Sequence, residues 1–234
     1  MSDTARSFWI DVTILVLAGC LFVTMISLGN WQVRRLAWKL DLIEQVEARA
    51  FGDPVTTPLD TDALEYLRVV ANGTFDHEAS LLVKAVNEAG SGFWVMTPLQ
   101  TPDQTLWINR GFVPTGLATS ELSKPNGPVQ IIGLIRADQP GGTLLERNKP
   151  KEDRWVSVDL TEMSRVAGIN NAQHGYFIDD EAKAGPDSWP RGGLTRLTFR
   201  NTHLVYAITW YAMALLFLIG MAYVIKERIK ARGT

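Results

Sequence analysis

Arg200-Asn201-Thr202-His203-Leu204-Val205-Tyr206-Ala207-Ile208-Thr209-Trp210-Tyr211 marks the point at which a soluble segment becomes a membrane helix. From Val205 to Ile225 no side chain is charged, and roughly 20 residues rising about 1.5 Å each cover a hydrocarbon core about 30 Å thick. Residues 203–225 are therefore read as a transmembrane helix with His203 at one membrane surface. On a helix, His203, Tyr206, Ala207, Trp210 and Ala214 share a stripe, because positions three, four and seven apart fall on one face. An imidazole, two aromatics and small residues leave room for a flat ligand. Spacing alone favours a plainer reading, since Tyr and Trp gather at membrane interfaces, Arg snorkels there, and His203 is then one more interfacial residue.

Working outward, the other apolar run lies near the start, from Phe8 to Leu28. It is too long for a typical signal-peptide core and lacks a convincing cleavage site, although Ala18-Gly19-Cys20 vaguely resembles a lipoprotein signal. Residues 8–28 are read as an uncleaved transmembrane helix, with Asp11 near enough to its start to reach the interface. The leader, residues 1–7, holds one Arg and one Asp, unlike the Arg-rich, acid-poor presequence of mitochondrial import. A bacterial inner membrane is the expected location. Lys226, Arg228, Lys230 and Arg232 oppose a lone Glu227 in the tail, residues 226–234, so that tail is expected in the cytoplasm. Both termini then lie inside. Arg34, Arg35 and Lys39 pull the other way, but a long loop translocates largely regardless of its charge. Residues 29–202 are expected to form a periplasmic domain.

Composition narrows the function. A chain of 234 residues with formal net charge -2 lacks the basic footprint of a nucleic-acid binder. Its single cysteine, Cys20, sits inside the first apolar run, so the domain outside the membrane has neither a disulfide framework nor a thiolate metal site.

After the first span, Trp31 to Ala50 reads as an amphipathic helix, with Leu40, Ile43, Val46 and Ala50 at helical spacing. Trp31 and Trp38 would anchor among lipid headgroups, with Arg34, Arg35 and Lys39 beside lipid phosphates or ligand carboxylates. Gly52-Asp53-Pro54 should end the helix. From Tyr66 the period changes. Short runs near 67–74, 80–86, 93–99, 105–113, 129–136, 155–158 and 175–179 are rich in β-branched and aromatic residues and separated by turn signals. The spacing predicts an antiparallel sheet or small barrel, interrupted by a short helix from Thr161, the candidate N-cap, to Gly168. The fold class is thus a membrane protein in which two transmembrane helices flank an α+β, mainly antiparallel β, extracytoplasmic domain.

Chemistry-bearing motifs are scarce. There is no HExxH, P-loop, GxGxxG, GxSxG or CxxC. Asp76-His77-Glu78 reads as a solvated turn whose side chains do not converge. His174 lies in a polar loop, and Asp179-Asp180-Glu181 reads as a solvated acidic run. No catalytic residue is assigned. A membrane-tethered hydrolase would need a nucleophile, a base and an oxyanion donor that the sequence does not assemble. Before the second span, residues 186–194 read as an extended, turn-rich approach, and Arg196 and Arg200 follow it. These guanidiniums suit either lipid phosphates or the carboxylates of a ligand on the His203 stripe, with Arg34 and Arg35 as alternatives.

Several stretches in order, Gly29-Asn30-Trp31-Gln32-Val33-Arg34-Arg35, Gly73-Thr74-Phe75-Asp76, Val95-Met96-Thr97-Pro98-Leu99, Ile108-Asn109-Arg110-Gly111-Phe112-Val113-Pro114 and Arg200-Asn201-Thr202-His203-Leu204 with Thr209-Trp210-Tyr211, resemble the Surfeit-locus family of cytochrome c oxidase assembly factors. The resemblance covers nearly the whole chain. It implies two membrane helices around an extracytoplasmic domain, and a non-enzymatic role in maturing the catalytic subunit of haem-copper oxidase. It also implies haem a as cofactor, with His203 as iron ligand, and partners in oxidase subunit I and the haem a synthesis machinery. Arg200, Tyr206, Trp210, Arg34 and Trp31 are the accompanying candidates for cofactor contact. A scaffold that stabilises an oxidase intermediate by protein contacts, without haem transfer, is the alternative expectation.

Overall fold

Strand β5, Thr105–Pro114, is buried at every position but its last, and its side chains show why. Leu106 and Ile108 enter one apolar cluster while Trp107, between them, enters another, as the alternation of strand side chains requires. A strand covered on both faces reads as a continuous apolar run, which matches residues 105–113. The computed structural model of the chain describes residues 3–57, 65–117, 119–143, 146–183, 185, 188–195, 197, 199 and 201–232. The chain divides into two units, Gln45–Leu197 and the terminal segments on either side of it.

In the central unit the other strands are β1 (Val55–Thr56), β2 (Arg68–Phe75), β3 (Leu81–Asn87), β4 (Gly90–Gln100), β6 (Pro128–Ala137) and β7 (Tyr176–Asp180). Their order is β1-β2-β6-β7-β5-β4-β3, and β2 also pairs with β4. That pairing, through Thr74 with Gln100 and Phe75 with Leu99, closes β2, β6, β7, β5 and β4 into a five-stranded barrel. Closure leaves these five strands without a free edge, the usual hazard of a small sheet. The pairs are antiparallel except β1 with β2 and β5 with β7. Closure also demands small residues. A Cβ on Gly73 would lie 2.3 Å from the Gln100 carbonyl oxygen, and one on Gly133 would lie 2.2 Å from that of Asp179.

Val69, Ala71, Leu99, Leu106, Ile108, Ile131, Ile135, Tyr176 and Ile178 belong to the first cluster, with period two along each strand. Outside the barrel wall, Leu81, Val83, Met96, Trp107, Trp155 and Phe177 pack with Leu160 and Met163 of α2, Leu160–Ala167. This helix starts two residues earlier than Thr161 as N-cap would set it. Asp159 is the N-cap, accepting from the Glu162 amide at 3.1 Å, and Gly168 closes the far end in the left-handed region. The indole of Trp107 donates to Ser164 Oγ at 2.9 Å within the buried interface.

Two further sequence expectations differ from the fold. Residues 155–158 are buried but bend at Val156 and Ser157 and form only one bridge, Trp155 to Val83. Asn148 Oδ1 takes the amides of Val156 and Ser157, at 2.8 and 3.1 Å, and so replaces a neighbouring strand. The first apolar run and the amphipathic segment are not two helices but one, α1, Asp3–Ala50. Gly29 does not break it, because helical backbone accepts a glycine at a cost of about 1 kcal/mol when a close approach requires one.

In the terminal unit, α1 runs antiparallel to α3, His203–Arg232. Asp11 pairs with Arg228, Gly29 meets Tyr211, and Gln32 meets His203, so ascending positions on one helix match descending positions on the other. Both helices are long and apolar enough to cross a membrane. Ala207 and Ala214 are 2% and 1% exposed, and small residues at such a seam let helix backbones approach closely. The small residues that the stripe offered to a flat ligand are therefore enclosed in the helix pair.

Candidate functional site

The seam between α1 and α3 carries a chain of polar and steric fits. Gly29 lies under the Tyr211 ring, where a Cβ would come within 2.6 Å of Cε1. The Tyr211 hydroxyl donates to Asn30 Oδ1 at 2.7 Å. Farther along, His203 Nδ1 lies 2.7 Å from Gln32 Oε1. A carbonyl oxygen only accepts, so Nδ1 carries the proton and donates it. In the neutral ring Nε2 then holds the lone pair, and among the described residues it has no hydrogen-bond partner. His203 is half-buried and Gln32 is 9% exposed.

His203 and Trp210 sit at the rim of the seam, half-buried, whereas Tyr206 is exposed. On α1, Trp31 and Arg34 are exposed, and the Arg35 guanidinium stacks 3.9 Å above the Trp38 ring. Arg196 and Arg200 lie outside the described residues. The structure thus joins His203 to α1 and leaves Tyr206, Trp31 and Arg34 on open helix surface. Sequence reasoning passed over Gln32 as a partner. Its signal is an uncharged amide just past an apolar span, a group that needs a hydrogen-bond partner if its face is buried.

The barrel holds a second polar centre. Asp179 accepts from Asn109 Nδ2 at 2.7 Å, Thr195 Oγ1 at 2.7 Å and Arg136 at 3.3 Å. Burial pushes its carboxyl above the usual range against the pull of those donors, and burial raises Asp180 too. Glu181 forms an ion pair with Arg68 at 3.0 Å. Asp179-Asp180-Glu181 is therefore not a solvated run, because β7 turns Asp179 into the barrel network. Asp179 and Asp180 border a cleft of about 260 Å³ that Trp94, Phe177 and Gly192–Thr195 also line. Asn109 additionally accepts from the Gly111 amide at 3.1 Å. Arg110, 8% exposed, donates to the Ser123 carbonyl and stacks on Phe75, and desolvation lowers its pKa.

Asp76-His77-Glu78 does form a turn, but not a wholly solvated one. His77 Nε2 lies 2.9 Å from the Pro125 carbonyl and its Nδ1 lies 3.5 Å from Arg110. His174 is exposed. Among the described residues no three His, Cys, Asp or Glu side chains are grouped to hold a metal ion.

In chain order two apolar helices, α1 and α3, flank a five-stranded barrel, and His203 lies at one end of the seam between the helices. The SURF1 family model matches residues 19–215. Surfeit locus protein 1 of Homo sapiens is 35% identical over 216 residues, covering 82% of this chain and 71% of its own length. The same-named protein of Xenopus tropicalis is 34% identical over 215 residues, covering 82% and 69%. A SURF1-like protein of Monosiga brevicollis is 32% identical over 212 residues, covering 82% and 80%. The chain belongs to the SURF1 family.

Proposed function

We propose that this chain is a membrane-anchored, non-enzymatic assembly factor for haem-copper oxidase, in which His203 holds haem a and aids its delivery to the catalytic subunit. The observation that carries the reading is the 2.7 Å contact of His203 Nδ1 with Gln32 Oε1, which leaves Nε2 as a donor at the end of an apolar helix. The residues fit the group. A neutral imidazole is a common haem ligand, and with His203 as its one protein ligand the cofactor would stay open to exchange. Tyr206 and Trp210 supply aromatic surface beside His203. Arg34 and, from sequence, Arg200 are the cations for the propionates.

The two apolar helices are read as transmembrane, with the barrel outside the cytoplasm of a bacterial cell. From Asp11 to Gln32 on α1 the rise is about 30 Å at 1.5 Å per residue, the thickness of a hydrocarbon core. The Asp11–Arg228 and Gln32–His203 pairs then mark opposite membrane surfaces. The basic end of α3, with Lys226, Arg228 and Lys230, favours the cytoplasmic side for the former. Oxidase subunit I and the haem a synthesis machinery are the proposed partners. His203→Ala, purified in detergent after coexpression with haem a synthesis, is expected to lose haem a that the wild type retains. Equal haem content in the two proteins would remove the ligand role.

A further inference from the structure

We infer that Gln32 is a positioning residue for His203, acting through the imidazole rather than on the cofactor itself. The inference rests on the haem reading above and adds a residue to it. Three features single out Gln32. It is almost fully buried in an uninterrupted helix, so its backbone is fixed by hydrogen bonds on both sides. The close fit of Gly29 under Tyr211, one helical turn away on α1, holds the register of the seam. Its amide carbonyl, and not its NH2, faces Nδ1 at 2.7 Å.

That last point decides the chemistry. An amide can offer an imidazole either a donor or an acceptor. The acceptor selects the Nδ1–H tautomer, which presents Nε2 as a ligand. A donor in the same place would select the other tautomer and place a proton on Nε2. Ligating histidines generally give their second ring N–H to such a partner, which fixes both tautomer and ring orientation. The acceptor here is neutral. A carboxylate would draw the Nδ1 proton more strongly and make Nε2 a stronger donor, while a buried charge would cost the seam stability. A glutamine therefore fixes the ring without maximising its hold on iron, as a carrier that must release its cargo requires.

Nitrogen-15 NMR of the full-length, haem-free protein in detergent reads the tautomer directly, with the signal among three histidines assigned by its absence in His203→Ala. The wild type is expected to show the Nδ1–H form, Gln32→Leu a mixture of tautomers, and Gln32→Glu the Nδ1–H form again. After coexpression with haem a synthesis, Gln32→Leu should retain roughly tenfold less haem a, in the range usual for loss of such a partner. Gln32→Glu should regain occupancy and show a lower iron reduction potential than the wild type. An unchanged His203 tautomer in Gln32→Leu overturns the positioning role, whatever the haem content. A tautomer change as expected, with no haem a bound even by the wild type, instead overturns the haem reading and leaves Gln32's hold on the ring standing. Near-native circular dichroism of Gln32→Glu separates either result from misfolding.

Discussion

Tyr211 donates its hydroxyl to Asn30 across 2.7 Å, and this bond ties α3 to α1 along the seam that holds His203. The motif around Gly29-Asn30-Trp31-Gln32 and the motif from His203 to Tyr211 are thus two halves of one interface, although 170 and more residues separate them in the chain. Tyr211→Phe removes one partly exposed hydrogen bond, worth about 1 kcal/mol. Gly29→Val drives a branched side chain into the Tyr211 ring and should cost more, on the order of 1–3 kcal/mol of overpacking. Thermal denaturation in detergent should rank wild type above Tyr211→Phe above Gly29→Val, and only the last should also lose haem a.

Gly111 sits at φ +122°, and a Cβ there would lie 2.2 Å from the Arg191 backbone. The amide of Phe112 donates to the Arg191 carbonyl at 2.9 Å and the Arg191 amide returns a bond at 3.0 Å. Gly111→Ala adds backbone strain and separates these partners, at a cost of roughly 2 kcal/mol or more. Denaturant unfolding followed by fluorescence of the buried Trp107 and Trp155 should show an earlier midpoint.

Ser164 satisfies the buried indole of Trp107 from α2. Ser164→Ala leaves that N–H without a partner in an apolar cluster, and about 1–3 kcal/mol of stability should be lost. The same fluorescence transition checks it, and the haem a retention proposed for the helix seam should be unaffected.

Asp179 gives the barrel a pH dependence of defined sign. Its folded pKa is raised, chiefly by burial. Its contribution is therefore complete below the unfolded value, about 3.9, and is lost as pH rises through the raised value. Asp179→Asn can still accept from Thr195 and does not titrate. Relative to wild type, the variant should gain stability as pH rises above about 4, as read from unfolding midpoints at a series of pH values. A constant difference would show that Asp179 titrates alike in both states.

The fold was largely legible because its signals are local. Apolar length marked both long helices, and period two with turn residues marked β2 to β7 to within a few residues. What escaped depends on distant partners. Residues 155–158 have strand composition, yet a side chain, Asn148, satisfies their amides. Val55–Thr56 is too short to announce itself as a strand and exists through its pairing with β2. Asp179 reads as solvated beside Asp180 and Glu181 until the β5–β7 register sets Asn109 opposite it. At the helix seam, His203 stood out as a rare residue at a membrane boundary. Gln32 did not, because nothing in a single helix shows which face a distant helix will cover.

Haem a carriage by His203 is the central proposal for this chain. The most direct measurement is the absorption spectrum of the full-length wild-type protein purified in detergent after coexpression with haem a synthesis. A Soret band and a haem a α-band that depend on His203 are the result expected. A protein without Soret absorbance that still copurifies with oxidase subunit I would contradict haem carriage and leave assembly by protein contacts in its place.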